Sequence, residues 1–68
     1  MREWLKTARK AKGMTMKDVA EKLGISESYY SQIESGERMQ KMDLPVASAL
    51  STAVGIPLYQ IIEQERGG

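Results

Sequence analysis

Thr15-Met16-Lys17-Asp18-Val19-Ala20-Glu21-Lys22-Leu23-Gly24-Ile25-Ser26-Glu27-Ser28-Tyr29-Tyr30-Ser31-Gln32-Ile33-Glu34-Ser35-Gly36 decides the fold of this chain. Thr15 followed three residues later by Asp18 has the form of a capping box, with an acid one methylene shorter than the usual Glu. Met16, Val19, Ala20 and Leu23 then recur at helical spacing. Gly24 stops that helix and supplies the left-handed backbone of a tight turn. Ser26 is a good N-cap for a second helix, whose inward residues are Tyr30 and Ile33, closed by Ser35-Gly36. Only Leu23-Gly24-Ile25-Ser26 separates the two, so they must cross steeply.

Working outward, every neighbouring segment also reads as helix. Residues 2–12 carry Leu5, Ala8 and Lys12 in helical register with Met1, Trp4 lies beside Leu5, and Gly13 caps the end. Residues 36–42 form a polar, basic loop. Asp43 caps a fourth helix with Pro45 in its first turn, where a missing N–H costs little. Val46, Ala47, Leu50, Ala53 and Val54 make its apolar face, and Gly55 ends it. Pro57 opens a fifth helix with Leu58, Ile61 and Ile62 apolar. The reading is all-α: one five-helix domain over 1–66, with the paired helices at about 15–35 and a flexible tail at 67–68.

Composition narrows the function. With 41% hydrophobic and 28% charged residues the chain should fold, not remain disordered. At 68 residues it is a single small domain, burying roughly 60% of its unfolded surface. There is no Cys and no His, so neither the usual zinc site nor a nucleophile–base set for an enzyme can be assembled, and no cofactor or metal is expected. No apolar run approaches the ~20 residues that span a bilayer. The start Met-Arg-Glu-Trp-Leu lacks a signal peptide's apolar stretch. A cytoplasmic location without membrane contact is the expectation.

The net charge of +1 conceals an asymmetry. Residues 1–22 hold seven basic and three acidic side chains, whereas 23–68 hold three and six. One basic pole suits an anionic partner, and solvated helix faces are the plain alternative. The outward face of the second quoted helix is unusual: Ser28, Tyr29, Ser31 and Gln32 are uncharged and polar where a solvated helix would carry Lys and Glu. Short hydrogen-bonding side chains suit close approach to base edges.

Ala20-x-x-x-Gly24-Ile25-Ser26, Ser31-Gln32-Ile33-Glu34-x-Gly36 and Ala53-Val54-Gly55-Ile56 together resemble the Cro/repressor helix-turn-helix family, to which lambdoid phage repressors belong. The resemblance runs from about Leu5 to Ile62. It implies a lambda-repressor-like DNA-binding domain and a small prophage- or plasmid-type transcriptional regulator, a repressor, binding double-stranded DNA. Segment 26–35 would be the recognition helix, entering the major groove N-terminus first. Glu27, Ser28 and Gln32 match positions of base contact, with Gln32 suited to adenine and Glu27 to cytosine. An acid at Glu27 also complements the helix dipole without any contact. Met16, Lys17, Tyr29, Ser31, Ser35, Arg38, Gln40 and Lys41 fall where phosphates would lie. Lys10 and Lys12 would add to the same attraction. Arg9 and Glu34 match a pair joining the first helix to the end of the recognition helix. Ile56, Leu58, Tyr59 and Ile62 would pair two copies into a homodimer on a palindromic operator.

Two departures stand out. The family commonly has a phosphate-gripping Gln where this chain has Met16, which leaves that task to backbone N–H groups. The loop after Gly36 is slightly longer than is common. The missing Gln, the weak net charge, Glu27 and Glu37 keep a second reading open: an antitoxin-like protein-interaction module on the same fold, bound to a protein partner.

Overall fold

In the computed structural model, which describes residues 1–38 and 41–67, five helices follow one another. They are α1 (Glu3–Ala11), α2 (Met16–Leu23), α3 (Glu27–Ser35), α4 (Leu44–Val54) and α5 (Leu58–Gly67). No strand occurs among the described residues. The three side-chain N-caps named above, Thr15, Ser26 and Asp43, are all made. The Asp18 N–H donates to Thr15 Oγ1 at 3.0 Å while Thr15 N–H donates to Asp18 Oδ2 at 2.9 Å. Ser26 Oγ accepts from Tyr29 N–H, and Asp43 Oδ1 from Val46 N–H, both at 3.0 Å. Between α2 and α3, Gly24 sits at φ +72°, and the Ile25 N–H turns back to donate to Ala20 C=O at 3.0 Å. A side chain at Gly24 would strain that backbone, and the crossing of the two helices depends on it.

Packing joins α2 to α3 and α4, α4 to α5, and α1 to α3. The core is Leu5, Val19, Ala20, Tyr30, Ile33, Ala47, Leu50, Ala53, Val54 and Ile61. Tyr30 is fully enclosed, as its inward place in the helical spacing predicts. Helix α5 continues through Gly67, where a flexible tail is the sequence expectation. Gly68 lies outside the described residues.

The inner side of α1 differs most from its sequence reading. Met1 is 69% exposed, and the buried positions are Arg2, Leu5 and Arg9. Both arginines are buried with their heads meeting carboxylates, and stems of this kind can cover apolar surface. Arg9 Nε and Nη2 donate to the two oxygens of Glu34 at 3.0 and 3.2 Å, and its Nη1 donates to Met14 C=O at 3.0 Å. Arg2 pairs across the chain with Glu65 through Nε and Nη2, both at 3.0 Å. Its Nη1 donates to Ile33 C=O and its own N–H to Glu34 C=O at 2.8 Å. Arg2 thus places positive charge against the C-terminal carbonyls of α3, where a cation is stabilising.

Tyr30 completes the polar cluster. Its hydroxyl is sealed beside Glu34 and Arg9 without a hydrogen-bond partner at bonding geometry among the described residues. Burial, and then the Glu34 carboxylate, push its pKa above the ordinary tyrosine value. Two outcomes follow. Glu34→Ala strands a buried guanidinium and costs about 3–5 kcal/mol, most of the stability of a domain this size. In the double variant Arg9→Met/Glu34→Leu most of that loss is restored, as read from urea denaturation; a double variant as weak as the single would refute the account. Tyr30→Phe, which removes an unsatisfied hydroxyl, keeps or raises stability, by up to about 1 kcal/mol. A melting temperature that falls in Tyr30→Phe would show that the hydroxyl has a partner.

Candidate nucleic-acid interface

The side of α3 that faces away from Tyr30, Ile33 and Glu34 carries Ser28, Gln32 and Ser35, flanked by Tyr29 and Ser31. Ser28 and Glu27 are exposed, and Gln32, Ser31, Ser35 and Tyr29 are half-buried. The face is therefore open, and every side chain on its mid-line is uncharged. The Ser35 hydroxyl donates back to Gln32 C=O at 3.1 Å, so reaching an outside acceptor means giving up that bond.

Beyond Gly36 the chain folds back onto this face. The Arg38 N–H donates to Gln32 C=O at 3.1 Å, and its Nε donates to Gln32 Oε1. The Arg38 guanidinium lies over the Tyr29 ring, 5.2 Å from its centre. This cluster has no local signature in sequence, because it depends on a turn after Gly36. Gln40 lies outside the described residues. Lys41 is exposed and lines a groove between α4 and α5, so its position belongs to that side of the molecule.

At the start of α2, Met16 is half-buried and packs against the core. Lys17 is exposed beside it. The basic pole is smaller than the sequence count implies, because Arg2 and Arg9 are taken up in buried ion pairs. Lys10 and Lys12 remain exposed. The Lys12 stem passes over Gly55, where a Cβ would stand 2.9 Å from its Cε. Its charge thus lies near the C-terminal end of α4, which a cation stabilises without any partner.

The residues expected to pair two copies divide into two groups. Ile56 and Leu58 are half-buried and packed against the chain's own core, with Ile56 C=O accepting from Ser51 Oγ at 2.5 Å. Tyr59 and Ile62 are 71% and 43% exposed. Sequence reasoning missed Leu44, which is 61% exposed beside the α4–α5 groove that Ile62 also lines. No single helix among the described residues is long and apolar enough to cross a membrane.

The sequence model of the helix-turn-helix family matches residues 5–61. Among curated proteins, the chain is 47% identical over 38 residues to YqaF of Bacillus subtilis (strain 168), described as an uncharacterised HTH-type transcriptional regulator. That stretch takes in 56% of this chain and 50% of the relative, so the chain spans about half the length of the relative it matches. No solved structure matches the chain at comparable stringency.

The start of α2 yields a pH dependence. The Thr15 N–H, and then the Thr15 hydroxyl, hold the Asp18 carboxyl below the usual aspartate range. A lowered folded-state pKa stabilises the fold above the ordinary carboxylate value, and that contribution disappears as pH falls through the folded one. Wild type should therefore melt higher than Asp18→Asn at neutral pH, with the two curves converging below about pH 4. A gap that stays constant down to acid pH would refute a charged cap.

Proposed function

We propose that this chain, which belongs to the Cro/C1-type helix-turn-helix family, binds double-stranded DNA by sequence and regulates transcription, with α3 lying in the major groove. The observation that carries this reading is the outward side of α3. It is a hydrogen-bonding surface whose helix side chains are uncharged, with the Arg38 guanidinium laid against Gln32 and Tyr29, on a helix whose inner side is locked by Tyr30, Ile33 and Glu34. An α-helix fits the major groove, and side chains of this kind match the donors and acceptors displayed there. The regulator name borne by the Bacillus relative supports the same class.

In this reading Glu27, Ser28 and Gln32 face base edges. Lys17, Ser31 and Ser35, with the backbone N–H of Met16, meet phosphates and fix the register. A second copy joins on the α5 side through Tyr59 and Ile62, with Leu44 beside them. A two-fold axis there would set two α3 helices about one DNA turn apart, roughly 34 Å, and so favour a palindrome. The regulator is of prophage or plasmid type, acts in the cytoplasm, and represses by occupying its operator.

Selection of random duplexes by the purified protein should enrich a palindrome with half-sites one helical turn apart, bound more weakly as salt rises. Gln32→Ala should cost about 1–3 kcal/mol on the enriched site and relax the preference at one base pair of each half. Equal retention of every duplex would end the reading, and enrichment of a single unrepeated half-site would remove the dimer.

A further inference from the structure

Arg38 is exposed, yet three separate contacts orient it. Its N–H is held by the Gln32 carbonyl at 3.1 Å, its Nε by the Gln32 side-chain oxygen, and its guanidinium plane lies 5.2 Å from the centre of the Tyr29 ring. The sequence reading places Arg38 among the phosphate contacts. A phosphate needs no such restraint, because attraction to a spread negative charge tolerates many geometries and a flexible cation serves. Orientation matters when two donors must meet two acceptors on one base edge.

The donors left over have that form. With Nε engaged on Gln32, the outer edge of Arg38 presents Nη1 and Nη2, which no described residue accepts from. Two such donors match O6 and N7 of guanine, the pairing the major groove offers an arginine fork. The same bond alters Gln32. Its Oε1 accepts from Arg38, so its free valence is chiefly the amide NH2, a donor. The pair as a whole presents donors, and guanine is the base whose major-groove edge holds two acceptors and no donor.

We propose that Arg38 reads a guanine in the major groove, with Tyr29 and Gln32 as the positioning residues that aim its fork. The inference rests on the DNA-binding reading above and adds the base and the residue that selects it.

Arg38→Lys separates the two roles, since it keeps the charge and loses the planar fork. Binding is measured on the duplex that the wild-type protein enriches and on each of its single-base-pair variants. Arg38→Lys should bind the enriched duplex roughly tenfold or more weakly and accept another pair in place of one G·C with no further loss, while the salt dependence stays unchanged. Tyr29→Phe, which keeps the ring, should retain discrimination at that pair, and Tyr29→Leu should lose it there. If Arg38→Lys keeps the wild-type preference at every position, the inference is wrong and the DNA-binding reading stands. If the wild-type protein enriches no sequence, both fall.

Discussion

Glu34 sits in the last turn of α3, 1% exposed, and an isolated carboxylate buried that deeply would cost several kcal/mol. Arg9 arrives from α1 to meet both of its oxygens. Neither charge is tolerable without the other, so α1 and α3 have one permitted relative placement. In a domain with so few core side chains, apolar packing alone would accept neighbouring arrangements that differ little in energy. The ion pair excludes them, because any slippage leaves two desolvated charges without partners. Its contribution is to orientation more than to net stability, and the orientation it sets is that of the helix with the open polar side.

Around that joint the inward and outward sides of α3 do opposite things. Tyr30 and Ile33 are fully enclosed, while Ser28 and Gln32 have no apolar work to do. A helix can present a hydrogen-bonding surface in a fixed pose only if its other side is immobilised. The Ser26 cap and the left-handed Gly24 fix where the helix begins, and Arg2 anchors where it ends.

The parts of this arrangement that were legible in the sequence are those set by neighbours along the chain. Thr15 with Asp18, Ser26 and Asp43 announce helix starts because capping operates over three residues. Gly24 and Gly55 announce ends because left-handed backbone is a local property. The inward position of Tyr30 follows from helical periodicity, and the pairing of Arg9 with Glu34 from resemblance to the family. What stayed hidden depends on segments brought together late. Arg2 reads as one more surface base, since nothing near it indicates a carboxylate 63 residues away. Ile56 and Leu58 read as residues pairing two copies because sequence cannot show that the start of α5 packs them against the chain's own core. The placement of Arg38 on Tyr29 and Gln32 depends on a change of chain direction after Gly36, which no periodicity encodes.

The clasp between Arg2 and Glu65 closes a loop of chain that takes in all five helices. Bringing residues so far apart into register is entropically the most expensive loop closure in the molecule, so this contact should form late in folding and open early. Unwinding the last turn of α5 would take Glu65 away from Arg2, the same side chain whose Nη1 holds the Ile33 carbonyl at the end of α3. A disturbance at the end of α5 is therefore felt at the end of α3, because the same arginine holds the Glu65 carboxylate and the Ile33 carbonyl.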